Sequence, residues 1–303
     1  MPDFRTESAQ AGPLEKAARA IRKVARRNGG RRGHAVPATA PKPDRWDPTL
    51  TSAWYAWCVE NGFQTRPQYL WPLIHCAHAA RALGLPRIAV IEFGVAGGNG
   101  LLALERAATA ASTLAGIQVE IFGFDTGTGM PAPADQRDAP YQFEPAYFDM
   151  DEPALRARLR KAQLVLGPVA ETVPKWVGTD HPPIGFISFD LDYYSSTMEA
   201  FGVLEGDPAR LLPRVLCYFD DVFGYSWTDF TGERAAIDDF NSSHAKRKIA
   251  KIHGLRFELP QEESQDSWHE KLYVAQVFDH PRYAEPEGRI DERWFEAHRL
   301  QPE

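Results

Sequence analysis

RIAVIEFGVAGGNG, residues 87–100, is the stretch that decides the fold. Ile88-Ala-Val-Ile91 is an unbroken apolar run, and Glu92 and Phe93 carry it into a glycine-rich turn. A run this short, rich in β-branched residues, reads as a strand buried on both faces. The Ala/Leu-rich segment 99–111 after the turn has the composition of a helix. Buried strand, glycine turn and helix together open a βαβ unit.

The same alternation continues outward. VEIFGFD (119–125), AQLVLG (162–167), IGFISFD (184–190) and RVLCYFDD (214–221) read as four further strands. A loop rich in Pro, Asp and aromatics occupies 127–152, and helices are expected over 153–162 and about 231–246. RFEL (256–259) and KLYVAQVF (271–278) are expected to close the sheet as an antiparallel pair. The expected fold is α/β: a Rossmann-like, doubly wound, mainly parallel seven-stranded sheet with an antiparallel last strand. Residues 46–84, with Trp54, Tyr55, Trp57, Phe63, Tyr69 and Trp71, read as N-terminal helices covering one end of that sheet. The boundaries are therefore a basic arm and linker over 1–45, helices over 46–84, the main domain over 85–281 and a tail over 282–303.

Composition narrows the function classes. The chain is 44% hydrophobic and carries a net charge of −7, which argues against a nucleic-acid partner. Residues 1–45 hold 11 Lys and Arg against 4 Asp and Glu, and the remainder 23 against 37. The arm is thus a separate basic piece, expected to be a mobile arm or a helix lying on the acidic body, with contact to an anionic membrane or an acidic partner as the alternative. Cys58, Cys76 and Cys217 make an odd count without a Cys-x-x-Cys pair, as expected of reduced thiols in the cytoplasm. No apolar run is long enough for a membrane span. The apolar N-terminal helices offer a face for a homo-oligomer.

Open α/β sheets bind ligands at the carboxyl ends of their strands, and the polar motifs fall there. The first is Glu92-Phe93-Gly94-Val-Ala96-Gly97-Gly98. Glycines let a ligand approach the backbone closely, and the strand-end acid can hold an ammonium; the turn could also serve packing alone. Asp125, with Thr126 beside it, ends the second strand, where a carboxylate can accept from both hydroxyls of a ribose. These features suit a nucleoside with an amino-acid tail. Asp190-Leu-Asp192 ends the fourth strand and Asp220-Asp221 the fifth. If those strands are neighbours, about 4.8 Å apart, their carboxylates meet, and such charge is costly without a cation. An all-oxygen set suits Mg²⁺, Ca²⁺ or Mn²⁺, so Asp190, Asp220 and Asp221 are ligand candidates and Asp192 a candidate base. The bland alternative is helix capping, with Ser195, Ser196 and Thr197 opening the next helix. His75 and His78 lie among apolar residues and read as packed; His244 is a candidate edge of an acceptor pocket. The aromatic loop 127–152 reads as a lid or as an irregular surface loop.

Glu92-Phe-Gly-Val-x-x-Gly-Gly, Gly123-Phe-Asp125-Thr-x-x-Gly129-Met-Pro131, Leu166-Gly167-x-x-x-x-Thr172-Val-Pro174, Asp190-Leu-Asp192-x-Tyr194-x-Ser196-Thr197 and Asp220-Asp221 occur in that order. Over roughly residues 60–280 the set resembles the macrocin-type O-methyltransferases, class I enzymes that methylate sugar hydroxyls of macrolide and aminocoumarin antibiotics. That resemblance implies S-adenosylmethionine as cofactor, held by Glu92, Phe93, Gly94, Gly97, Asp125, Thr126 and Asp190, with Gly167 and Val169 flanking the adenine. It implies Mg²⁺ on Asp190, Asp220 and Asp221, Asp192 as base, and a small-molecule hydroxyl acceptor. The chain departs from the pattern at Gly127, at an insertion over 204–210, at Leu211-Leu-Pro-Arg214, and in the aromatics Phe223, Tyr225, Trp227 and Phe230. Competing readings are an NAD-dependent oxidoreductase, which the missing Gly-x-Gly-x-x-Gly disfavours, and a non-catalytic module that binds the cofactor.

Overall fold

The apolar runs become strands because a sheet covered on both faces favours β-branched and aromatic residues at nearly every position. A computed structural model describes residues 48–63, 66–223, 228–259 and 266–285. The basic arm, Tyr225, Trp227 and the end of the tail lie outside the described residues. In chain order the elements are α1 (Pro48–Glu60), α2 (Pro67–Ala82), β1 (Arg87–Phe93), α3 (Asn99–Ala115), β2 (Gln118–Asp125), α4 (Glu152–Arg158), β3 (Gln163–Leu166), α5 (Val169–Val177), β4 (Ile184–Phe189), α6 (Tyr194–Ala200), α7 (Gly202–Glu205), β5 (Leu211–Phe219), α8 (Gly232–Ser243), β6 (Arg247–Lys251), α9 (Leu255–Glu258) and β7 (Leu272–Val277).

The seven strands form one sheet in the order β3-β2-β1-β4-β5-β7-β6. Strands β1 to β5 are parallel, and β7 runs antiparallel to both β5 and β6. This is the Rossmann-like, doubly wound sheet expected, with its antiparallel strand. The order differs from the 3-2-1-4-5-6 arrangement of dinucleotide-binding sheets, because β7 enters between β5 and β6.

Two expectations are corrected. RFEL (256–259) is no strand: Leu255–Glu258 is a short helical turn, and the sixth strand is the earlier RKIAK, Arg247–Lys251. That strand is an edge, where one partner suffices and charged residues discourage pairing with other chains. Its apolar signal is therefore thin, with Ile249 and Ala250 between basic residues. The N-terminal helices also do not cover an end of the sheet. Helix α2 packs on a sheet face, against β1, β4 and β5 and beside α3. Gly185 of β4 makes room for it: a Cβ there would sit 3.2 Å from Cys76 Cβ. Helix α5 escapes the sequence reading because it is short and contains Pro174.

The two sheet faces bury separate clusters. Ile88, Val90, Phe186 and Tyr218 pack with α1, α2 and α3 on one side. Ala89, Ile91, Ile187 and Cys217 pack with α5 to α8 on the other. On that second face Phe124, Phe93, Phe189 and Phe219 stand in register across β2, β1, β4 and β5. Their rings contact in sequence, with centroids 4.8, 5.6 and 4.6 Å apart, and all four are fully buried. Each is the last or next-to-last residue of its strand. Phe189→Ala is expected to cost about 3–5 kcal/mol in denaturant unfolding, whereas Phe257→Ala, at an exposed position, should stay within about 0.5 kcal/mol.

Candidate functional site

Directly beyond the phenylalanine row come Asp125, Gly94, Asp190 and Asp220, one at the end of each strand. The row therefore sets a common height for the polar groups. Gly94 has φ +80°, and a Cβ there would lie 1.8 Å from the Asp190 carbonyl oxygen. Asp190 N–H donates to Phe93 O at 3.1 Å, so the two loops touch backbone to backbone and only glycine fits between them. Ala96, where a dinucleotide fingerprint has glycine, holds φ +44°, and its N–H donates to Asp125 Oδ2 at 2.8 Å. Asp125 Oδ1 accepts from Gly127 N–H at 2.7 Å, which leaves each oxygen a further lone pair. Gly167 N–H donates to Asp125 O at 2.9 Å, which sets the β3 turn, with Val169 at the start of α5, against the end of β2.

The structure thus brings Glu92, Gly94, Asp125, Gly167 and Asp190 to neighbouring strand ends. Phe93 borders the group only by its backbone, since its ring belongs to the core. Thr126 turns to its own loop, donating to Gly129 O at 2.7 Å. Gly97 has open space where a Cβ would stand. Glu92 is 1% exposed. Its Oε1 accepts from Tyr69 Oη at 2.7 Å, and its Oε2 has no partner among the described residues. Burial pushes this carboxyl up to about 8, against the opposing hydrogen bond from Tyr69. A buried carboxyl oxygen without a partner among the described residues, beside a glycine-rich turn, fits a cationic group on a ligand.

The second group is acidic. Asp190, Asp220 and Asp221 each place a carboxylate oxygen within 4.8 Å of the others. Asp192 sits in a tight left-handed turn, φ +56°, and its N–H donates to Asp221 Oδ2 at 3.1 Å. Burial, then the charges of Asp220 and Asp192, push Asp190 up to about 7. Burial pushes Asp192 up to about 6 and raises Asp221 well above the usual carboxylate range. Lys271 Nζ, 2.9 Å from Asp220 Oδ1, offsets part of the charge. An all-oxygen set with this much uncompensated charge fits a hard divalent cation. The capping alternative does not describe it: the first turn of α6 is held by Asp138 of the loop, whose Oδ1 accepts from Ser195 N–H and whose Oδ2 from Ser195 Oγ, both at 2.8 Å.

Several residues here carry no sequence signal. Glu233 is fully buried on α8, and its Oε2 accepts from Asp221 N–H at 2.8 Å. Tyr218 Oη donates to Asp220 Oδ1. Tyr69 lies in an aromatic-rich helix that reads only as core. The loop 127–152 is pinned at its middle by Asp138, and Arg137 stacks 3.7 Å from the Tyr194 ring centre. It exposes Tyr141, Tyr147 and Phe148, while Phe143 packs toward Tyr193 with centroids 6.3 Å apart. His75 and His78 are packed as expected, against Trp71 and Trp54. His244 is corrected: it stacks on Phe240 and lies 3.4 Å from Glu205. That places it before β5, at the amino ends of the parallel strands and away from the carboxylates.

No known family profile matches the sequence, and no curated protein is similar to it. Several solved structures are similar to parts of the chain. The O-methyltransferase NovP is 13% identical, with TM-score 0.48 over 69% of this chain and 79% of that one. The calicheamicin methyltransferase CalS11 is 20% identical, with TM-score 0.45 over 84% and 96%. The O-methyltransferase TomG from Streptomyces achromogenes, in complex with SAM, is 11% identical, with TM-score 0.39 over 77% and 92%. Among the described residues no helix is long and apolar enough to cross a membrane.

The raised carboxyls give the metal-free protein a definite pH response. Asp190 near 7 and Asp192 near 6, against 3.8 unfolded, keep protons in the folded state that the unfolded chain has released. Stability is then greatest below that window and falls as pH rises through it. Thermal melts without metal should show a decline between about pH 4 and pH 7, and Mg²⁺ should raise the melting temperature more at the higher pH. A flat profile without metal would contradict the charge cluster.

Proposed function

We propose that the protein is an S-adenosylmethionine-dependent, Mg²⁺-dependent O-methyltransferase acting on a hydroxyl of a small metabolite, such as a sugar of a natural product. The observation that carries this reading is the convergence of Asp190, Asp220 and Asp221 within 4.8 Å, at strand ends that also present the Glu92–Gly94 turn and Asp125. The sugar acceptor comes from the resemblance to the macrocin-type enzymes, and the exposed aromatics Tyr147, Phe148 and Phe223 offer apolar faces against which such a molecule can stack.

Glu92 would hold the ammonium of the cofactor, Asp125 the ribose, and the Gly167–Val169 turn would border the adenine. Asp190, Asp220 and Asp221 would hold the cation. When bound, the cofactor supplies an electrophilic methyl group and the cation lowers the pKa of an acceptor hydroxyl. Asp192 would take the hydroxyl proton on its carboxylate: with its pKa near 6 it is ionised at neutral pH and close enough in pKa to serve as a base. Its left-handed turn, tied to Asp221, fixes where that carboxylate stands. The departure of the strand order from the dinucleotide arrangement weighs against the oxidoreductase.

Calorimetric titration of S-adenosylhomocysteine and Mg²⁺ tests the two halves separately. Wild type is expected to bind both, and an Asp220→Ala/Asp221→Ala variant only the nucleoside. Asp192→Asn should keep both affinities and lose roughly 10²–10⁴-fold in methyl transfer to a hydroxylated acceptor. Wild type that binds no S-adenosylhomocysteine would sink the reading.

A further inference from the structure

Helix α2 brings two side chains to the amino-acid end of the site that the strand-end motifs do not explain. Tyr69 is fully buried. Its hydroxyl donates to Glu92 Oε1 at 2.7 Å and accepts from Ser188 Oγ at 3.2 Å, so the Glu92 side chain is held from two strands and one helix. This leaves Glu92 Oε2 as the free acceptor, buried and without a partner among the described residues. Arg66, at the start of α2, is half-buried. Its guanidinium carbon lies 5.4 Å from the Tyr69 ring centre, and Nη1 makes a long 3.5 Å contact to Tyr69 Oη. It makes no ion pair among the described residues, although Glu92 and Asp190 both act on it electrostatically.

A cationic fork without an anion therefore stands next to a buried carboxyl oxygen without a partner among the described residues. The Arg66 nitrogen and Glu92 Oε1 are no farther apart than the two Tyr69 contacts laid end to end. An α-amino acid presents the matching pair, an ammonium and a carboxylate on one carbon. A pyrophosphate would satisfy Arg66 and offer no donor to Glu92 Oε2; an amine alone would leave Arg66 unmatched, and an ammonium at Oε2 favours the ionised form of Glu92. Arginine suits this place because its planar fork meets a carboxylate with two parallel donors and stays charged at every relevant pH.

We propose that Arg66 and Glu92 form a two-charge clamp for an α-amino-acid zwitterion, Arg66 taking the carboxylate and Glu92 Oε2 the ammonium, with Tyr69 as the positioning residue that sets the Glu92 side chain. The proposal rests on the S-adenosylmethionine reading and assigns the recognition of its amino-acid end. It also gives helix α2 a part in the site that its aromatic composition conceals.

The test is calorimetric, with S-adenosylhomocysteine, its decarboxylated analogue and 5′-methylthioadenosine titrated into wild type, Arg66→Gln, Arg66→Lys and Tyr69→Phe. Wild type is expected to prefer S-adenosylhomocysteine over the decarboxylated analogue by about tenfold or more, the scale of one charge-assisted contact. Arg66→Gln should erase that preference and leave 5′-methylthioadenosine within about twofold of wild type, with Arg66→Lys in between. Tyr69→Phe should weaken both ligands that carry the ammonium and spare 5′-methylthioadenosine. An unchanged preference in Arg66→Gln overturns the clamp, as does an equal loss for all ligands, which would mark Arg66 as structural. Wild type that binds 5′-methylthioadenosine as tightly as S-adenosylhomocysteine overturns the clamp while the cofactor reading stands. Wild type that binds none of them overturns both.

Discussion

The register of parallel strands is the constraint on which the site depends. Phe124, Phe93, Phe189 and Phe219 face one another across β2, β1, β4 and β5, and each hands the chain to an aspartate or, at Gly94, a glycine at the same level. A slip of one residue in any of these strands would turn its phenylalanine to the other face and withdraw its carboxylate or glycine from the group. Ring contacts thus convert a hydrophobic preference into a positional one. The same apolar floor deprives the carboxylates of solvent on one side, and burial is the leading cause of the raised pKa values of Glu92, Asp190, Asp192 and Asp221.

Such a site is expensive to fold, and its surroundings show how the cost is contained. Lys271 and Tyr218 both engage Asp220. Glu233 is buried against the backbone of Asp221 rather than against its carboxylate, so one acid orders another by accepting an N–H. Asp192 sits in a conformation that few residues other than glycine adopt, though Asp and Asn tolerate it better than most. Strain of this kind persists only where neighbours enforce it; here the Asp221 carboxylate and the following helix do so.

Much of this was legible in the sequence because strand ends are local. A buried run, then a glycine or an acid, is visible in one dimension, and the adjacency of β4 and β5 follows from the connectivity of doubly wound sheets. The phenylalanine before each polar residue was equally visible, in IEFG, FGFD, ISFD and CYFDD, yet its meaning appears only when the strands are aligned. What was illegible depends on contacts between distant elements. Tyr69 lies in, and Arg66 just before, a helix whose aromatics look like core, and Glu233 opens a helix in which an acid is ordinary. RKIAK carries no strand signal because an edge strand need not be apolar, and the end of the sheet at which His244 lies is not legible because its sequence distance from Asp221 says nothing of strand direction.

Asp138 joins the long loop to the first turn of α6, three residues beyond Asp192, through both of its carboxylate oxygens. Arg137 beside it reaches Asp239 of α8 and lies on the Tyr194 ring. Loops over a sheet often behave as exchangeable parts that can be swapped to suit a new ligand. This one is keyed into the frame that carries the acidic residues. A graft that replaced it wholesale would also remove the strut under the turn of Asp192, so a redesign that keeps this turn changes the tip and flanks of the loop and retains Arg137 and Asp138 as the fixed mount.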